Sequence, residues 1–135
     1  MKTILTLAIC LAVATPTLCQ SKSAAKEQQE KEQQLRIALE QMRDAIDRYH
    51  GLFIRGKIMA KVDSQGYPSD LEELVKTTYV DAHGQTIHLL QGIPVDPMTS
   101  STDWGLKRRS PPGFLFDVYT KSEGTALDGT KYKDW

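Results

Sequence analysis

The sequence predicts an α+β fold in which a long N-terminal helix packs on a small antiparallel β-sheet and the chain ends in a loop. Two patterns carry this prediction. Apolar residues recur at helical spacing over residues 35–53, and residues 114–121 have the alternation that is typical of a strand. Glycine and proline interrupt the segments between them, as expected for turns that join short antiparallel strands.

The long helix is predicted from a single apolar stripe with successive spacings of 4, 3, 4, 3 and 4 residues. The stripe consists of Leu35, Leu39, Met42, Ile46, Tyr49 and Phe53. This spacing places all of its members on one helix face, and we expect that face to pack on the chain's own sheet. The alternative is a coiled-coil seam, although the stripe is shorter than the three to four heptads that indicate one. Gly51 and Gly56 weaken the end of the helix, which we expect to stop before residues 63–68.

The second half of the chain predicts one short helix and two or three strands. Ser69 is the expected N-cap of a two-turn helix, because Glu72 follows three residues later and completes a capping box. Strands are expected near residues 87–90 and 104–108, with a turn at 110–113. In the strand that follows, one face is expected to hold Phe114, Phe116 and Val118, and the other Leu115, Asp117 and Tyr119.

The N-terminal segment has the features of a secretory signal peptide. Lys2 precedes a short apolar run, and Pro16 ends that run. We expect residues 1–19 to be a signal peptide that is cut near Cys19; the alternatives are a retained N-terminal anchor and, less well supported, a lipidated Cys19. Because Cys10 and Cys19 are the only cysteines, cleavage after Cys19 leaves no disulfide and no cysteine metal ligand.

The remaining chain divides into a polar segment and one domain. Residues 20–34 consist almost entirely of polar helix formers, so this stretch is expected to be either a solvated helix or a disordered tether. Residues 35–135 form the expected domain. Lys and Arg together number 17, as do Asp and Glu, and this balance gives no argument for a nucleic-acid partner or an anionic membrane surface.

Catalytic motifs are absent from the sequence. It contains no Gly-x-Ser-x-Gly, phosphate-binding loop, dinucleotide fingerprint or His-Glu-x-x-His. His50, His83 and His88 are scattered, and the spacing of the last two suits neither one helix face nor one strand face. We therefore expect a protein that is not an enzyme.

The C-terminal loop could hold a hard cation. Its side-chain oxygens come from Ser122, Glu123, Asp128 and Asp134. Glycines between these residues permit tight turns, and Ca²⁺ prefers six to eight oxygens from such a mixture of carboxylates and carbonyls. The spacing is not that of an EF-hand, and a solvated hairpin tip is the alternative interpretation.

Several segments together resemble a known family. In chain order they read "LRIALEQMRDAIDRYH", "GYPSDLEELV", "IPVDPMT", "DWGL" and "FDVYTKSEGTALDGTKYKDW". Their order over roughly residues 27–135 resembles the G-type major pseudopilin of type II secretion systems, and is closest to a pseudopilin-like branch with a similar C-terminus.

The resemblance implies a pilin-like fold and a structural role in a periplasmic pseudopilus that acts during protein export. The implied partners are other pseudopilin or secretion-apparatus subunits. It also implies a calcium ion in the C-terminal loop, with Glu123 and Asp128 as side-chain ligands and carbonyls near Lys121 and Ser122. Trp135 would then seal the loop against the domain.

The N-terminus departs from the family pattern. Members begin with a short basic leader that ends in Gly, followed by Phe-Thr-Leu-Ile-Glu and an apolar run. Here the chain begins "MKTILTLAICLAVATPTLCQ", without that motif and without an acid in the apolar run. The alternative function is therefore a soluble, exported pilin-like domain that binds a partner or calcium without forming a filament. An inner-membrane association is expected only if residues 1–19 are retained.

Overall fold

The computed structural model describes residues 18–109 and 113–135, and the side chains from residue 22 onward. The elements are α1 (Leu18–Ile54), α2 (Leu71–Lys76), β1 (Thr78–Val80), β2 (Thr86–His88), β3 (Gly105–Arg109), β4 (Phe114–Tyr119) and a final 3₁₀ turn (Tyr132–Asp134). The predicted α+β class, with a long N-terminal helix and small antiparallel sheets, is confirmed. The signal-peptide prediction for residues 1–19 and the turn at 110–113 fall largely outside the described residues.

The strands form two separate antiparallel pairs, β1 with β2 and β3 with β4. The strand expected near residues 87–90 is β2, which lies earlier, because Leu89 and Leu90 turn into the core directly after it. β1 was not expected from the sequence, since Thr78–Val80 is only three residues long. Its register places Tyr79 opposite Ile87.

A β-bulge changes which side chains of β4 reach the core. Lys107 lies opposite Asp117, but the next residue of β3 lies opposite Leu115, so Phe116 is an extra residue in β4. A bulge of this kind interrupts the two-residue alternation. Leu115 and Val118 are therefore both fully buried, whereas Phe116 is 37% exposed. The predicted grouping of Phe116 with Val118 on one face is wrong for this reason.

The apolar stripe of α1 supplies one side of the core. Its first five members are at most 2% exposed, and they pack with residues from both sheets and from α2. Phe53 is the exception at 38% exposure, and Leu52 takes the buried position instead. The helix ends at Ile54, and the ring of Phe53 folds over Gly66, filling the place that a Cβ would occupy.

The cap of α2 is shifted by one residue from the prediction. Asp70, not Ser69, is the N-cap, and its Oδ1 accepts a hydrogen bond from the backbone N–H of Glu73 at 2.8 Å. Glu73 completes the box in place of Glu72, because its Oε2 accepts from the backbone N–H of Ser69 at 2.8 Å. Its other oxygen accepts from the Tyr49 hydroxyl at 2.7 Å, which ties α2 to α1.

We expect Leu39→Ala or Ile46→Ala to lower the free energy of unfolding by about 2–5 kcal/mol, because each deletes buried methyl groups and leaves a cavity. Chemical denaturation measures the change. Ile37→Ala is the matched control on the same helix, since Ile37 is 47% exposed and its truncation should cost far less. Equal and small costs at all three positions would mean that the stripe serves another chain.

Candidate functional site

The C-terminal segment after β4 folds back across α1 as a compact loop. A bridge pairs Thr125 with Lys131, and the backbone N–H of Ala126 donates to the carbonyl of Thr130 at 2.8 Å. Gly129 closes the turn with a φ of +88°, a left-handed conformation that favours glycine. The loop is therefore a small closed hairpin whose two sides are bonded to each other.

Glu32 holds this hairpin against the helix. Its Oε1 accepts from the backbone N–H of Leu127 at 2.8 Å and from the hydroxyl of Tyr132 at 2.9 Å. Gln28 lies one turn earlier, and its amide nitrogen is 3.3 Å from the same oxygen. Glu32 is only 9% exposed, so these bonds compensate a carboxylate that has lost most of its contact with water.

Gln28 and Tyr132 extend the contact. The Gln28 amide donates to the Tyr132 hydroxyl at 2.9 Å and lies 3.3 Å from the Thr125 carbonyl. Burial raises the pKa of Tyr132, and the adjacent Glu32 charge raises it further, while the hydrogen bond from Gln28 opposes both. The phenol therefore remains a donor to Glu32 well beyond neutral pH.

Arg43 fastens the other end of the loop. Its Nη2 donates to the carbonyl oxygen of Trp135 at 2.7 Å and to that of Val118 at 3.0 Å, while its Nε donates to Asp117 at 2.7 Å. One guanidinium thus joins α1, β4 and the end of the chain. Partial burial by itself would raise the pKa of Asp117, but the hydrogen bonds from Lys107 and Arg43 outweigh it and hold that pKa below its usual range.

Trp135 lies over the helix rather than in a frayed tail. The guanidinium of Arg36 is 4.2 Å from its ring centroid, and the Tyr132 ring meets it edge-on at 5.2 Å. Its indole N–H donates to the hydroxyl of Thr130 at 2.8 Å. Beside this ring runs an open groove of about 570 Å³, which is lined by Arg36, Leu39, Glu40, Arg43, Asp44, Asp47 and Trp135.

The structure places the two predicted calcium ligands at different points of the loop. Glu123 has an 81% exposed side chain, and its Oε2 lies 3.1 Å from the ammonium group of Lys133. Asp128 accepts at one oxygen from the hydroxyl of Thr130 at 2.6 Å and from its N–H at 2.9 Å. These bonds, chiefly the one from the hydroxyl, lower the pKa of Asp128. Within the described residues, no group of three or more His, Cys, Asp or Glu side chains is arranged to hold a metal.

Two buried acids were not singled out from the sequence. Asp96 is fully buried and accepts from the Thr120 hydroxyl, and its other oxygen accepts from the N–H of Met98 at 2.8 Å. Thr120 also accepts from the N–H of Ser122, which orients the chain as it enters the loop. The second acid is Glu32. Extending the apolar stripe backwards from Leu35 at the same 3- and 4-residue spacings reaches Glu32 and then Gln28. This spacing predicts that both side chains lie on the packed face of the helix.

We expect Glu32→Ala to destabilise the protein by about 1–3 kcal/mol, because the Leu127 N–H and the Tyr132 hydroxyl both lose their acceptor. Glu32→Gln keeps one acceptor oxygen and should cost less. Thermal and chemical denaturation measure both changes. Glu30→Ala is the matched control, since Glu30 is exposed and its ion pair with Lys26 spans 3.9 Å. Equal stability of the Glu32→Ala and Glu30→Ala proteins would mean that Glu32 does not hold the loop.

Comparison of the chain with protein-family models, with curated proteins and with solved structures gave no match. Among the helices in the described part of the chain, none combines the length and the apolar character that crossing a bilayer requires.

Proposed function

We propose that this chain is a pseudopilin-like structural subunit of a type II secretion apparatus and acts in protein export. The observation that carries the proposal is the C-terminal loop, whose sequence provides the most extended part of the family resemblance. Two residues of the long helix bond it: Glu32 accepts from the N–H of Leu127, and Arg43 donates to the carbonyl of Trp135. The role is structural: the loop makes the helix and the domain one rigid unit.

The length of α1 suits a subunit whose N-terminal helix extends from its domain toward other subunits. With 37 residues, the helix is about 55 Å long. Residues 22–27 are exposed, and the first side chain that contacts the loop is Gln28. Residues 22–27 therefore continue the helix N-terminal to its first hydrogen bond with the loop, and their exposed side chains are available to neighbouring subunits of the apparatus.

The N-terminal segment favours a second candidate function. Its signal-peptide features and the missing Gly-Phe motif fit a soluble, exported pilin-like domain that binds a partner or calcium without polymerising. Mass spectrometry of the mature protein from a native-like host separates the two. A start at Gln20 favours the soluble domain, whereas an uncut or methylated start supports a subunit that assembles, anchored in the inner membrane.

Calcium in the loop belongs to the same proposal. Two carboxylates and the nearby carbonyls are the hard oxygen donors that Ca²⁺ prefers, so the chemistry of the donor set fits. Calcium binding at Glu123 would require the side chain of Lys133 to move, because its ammonium group donates to the Glu123 carboxylate. Calcium bound by Glu123 and Asp128 would link the chain that enters the hairpin to the turn at its tip.

The secretion role predicts a specific export defect. Deleting the gene should cause proteins that use the type II route to accumulate in the periplasm, because the pseudopilus would lack a subunit. Immunoblots of periplasm and medium measure this, and reintroducing the native chain should restore secretion. Normal secretion by the deletion strain, with the neighbouring genes intact, would reject this role and leave the soluble domain.

Calcium binding predicts a change in thermal stability. An ion bound only by the folded state stabilises it by RT ln(1 + [L]/Kd), which is about 2.7 kcal/mol at a hundredfold excess over Kd. Melting temperature should therefore rise with Ca²⁺ and fall with a chelator, and Mg²⁺ should substitute poorly because it demands a smaller octahedral site. Asp128→Ala should abolish the difference and Glu30→Ala should keep it. Superimposable melting curves with Ca²⁺ and with chelator would remove calcium from the proposal.

A further inference from the structure

The segment that follows α1 exposes an unusual amount of apolar surface. Met59 is 97% exposed, Val62 is 90% exposed and Ile54 is 69% exposed, the three highest values among the large apolar side chains of the described residues. All three lie within nine consecutive positions. Isolated apolar side chains are normal on a protein surface, but such a concentration indicates a contact with something else.

Basic side chains are interleaved with these apolar ones. Arg55, Lys57 and Lys61 are all exposed, and together with the three apolar residues they define what we call the apolar–basic loop, residues 54–62. The loop contains no acid. Interfacial binding has two contributions, apolar surface that enters the acyl boundary and cations that attract anionic lipids, and this loop carries both kinds of side chain.

A second basic stretch adjoins this loop through Ser69. The ammonium group of Lys61 donates to the Ser69 hydroxyl at 2.9 Å, and the guanidinium of Arg108 donates to the Ser69 carbonyl. Arg109 follows Arg108 at the end of β3 and is exposed. The net charge of zero for the whole chain therefore conceals a local concentration of cations at this end of the domain.

The acids close to this surface are mostly committed elsewhere. Glu73 accepts from Tyr49 and from the N–H of Ser69 and lies 3.8 Å from Lys61, and Asp70 caps α2. Asp63 is exposed at the edge of the loop. Arg55 and Lys57 form no ion pair with a described acid. Asp81 lines the same cavity as these two cations, but its Oδ1 accepts from two backbone N–H groups of its own turn. The Nε of Arg55 donates to the carbonyl of Gly51, so both cations keep charge that no described acid neutralises in an ion pair.

We propose that the apolar–basic loop docks on an anionic lipid bilayer surface. The loop projects outward: a Cβ placed on Gly56 would have no atom within 4 Å, and Met59 is almost entirely in solvent. Protruding apolar tips suit a soft interface, where they enter the acyl boundary while lysine and arginine pair with headgroup phosphates. A two-fold contact between copies through this loop would instead bring together two segments that carry cations and no acid to pair with them.

Oxidation of Met59 tests the proposal in the full-length protein. Hydroxyl radicals convert exposed methionine to its sulfoxide, and peptide mass spectrometry reads each methionine separately. Vesicles that contain phosphatidylglycerol should slow oxidation of Met59 severalfold, whereas pure phosphatidylcholine vesicles should not. Met42 is fully buried and reports any loss of the fold. Because the readout is local, lipid binding by residues 1–19 does not imitate it.

Two pairs of matched variants test whether the cations and the apolar side chains of the loop are responsible for vesicle binding. Arg55→Gln with Lys57→Gln should weaken vesicle flotation by about fivefold per charge removed, whereas Lys22→Gln with Lys26→Gln makes the same charge change on α1 and should not. Met59→Ser with Val62→Ser should also weaken flotation, whereas Ile37→Ser with Val95→Ser should not, because these two apolar side chains are exposed outside the loop.

Three results would overturn the proposal. Met59 could be oxidised equally with and without anionic vesicles, which would mean that the loop stays in water. It could be protected equally by both lipids, which would exclude recognition of the headgroup charge. It could also be protected without lipid as protein concentration rises, which would assign the surface to a second copy of the chain.

Discussion

The carboxylate of Glu32 is the contact on which the arrangement of this protein depends. It lies on the same helix face as the apolar core stripe, but its acceptor oxygen is directed at the loop instead of at apolar side chains. A buried carboxylate is costly unless its hydrogen bonds are satisfied, and here the N–H of Leu127 and the hydroxyl of Tyr132 provide them. Glu32 therefore fixes the position of the C-terminal loop on the helix, and the two donors of the loop offset the desolvation cost of the Glu32 carboxylate.

The second attachment, at Arg43, gives the loop its orientation. Arg43 lies eleven positions after Glu32, which corresponds to about 16 Å along the helix axis. Contacts at two such positions prevent the hairpin from pivoting about either one. In the described residues, no buried side-chain nitrogen or oxygen lacks a hydrogen-bond partner, so this polar interface is fully satisfied and can define a single geometry.

The spacing of apolar residues predicted the secondary structure correctly where the buried side chains recur at a regular interval. The stripe from Leu35 to Tyr49 is buried as expected, because a helix repeats its contacts every three to four residues. The predictions that are wrong concern shifts of a single residue, which a regular spacing of apolar residues does not predict. Phe116 is an inserted residue in β4, and the cap of α2 lies at Asp70 because Glu73 also reaches the Tyr49 hydroxyl. Both depend on contacts between different elements, β3 with β4 in the first case and α1 with α2 in the second.

The candidate site shows the same limit. The acids and glycines of the loop predict a candidate site, but Gln28 and Glu32, which bond it to the helix, fall in the segment predicted to be a solvated helix or a disordered tether. Glu32 and Gln28 look like ordinary helix formers, and only their phase relative to Leu35 places them on the buried face. Arg43 and Trp135 could not be paired from the sequence because 92 positions separate them.

The contact between Glu32 and Tyr132 joins residues 100 positions apart, and it has a consequence for synthesis. The chain emerges from the ribosome N-terminus first, so α1 is complete long before its hydrogen-bond partners exist. Contacts of such high sequence separation are also slow to form. Until translation reaches Leu127 and Tyr132, Glu32 lacks the two donors that it has in the folded domain. Loss of these two residues would therefore leave a contact unmade near the beginning of the domain.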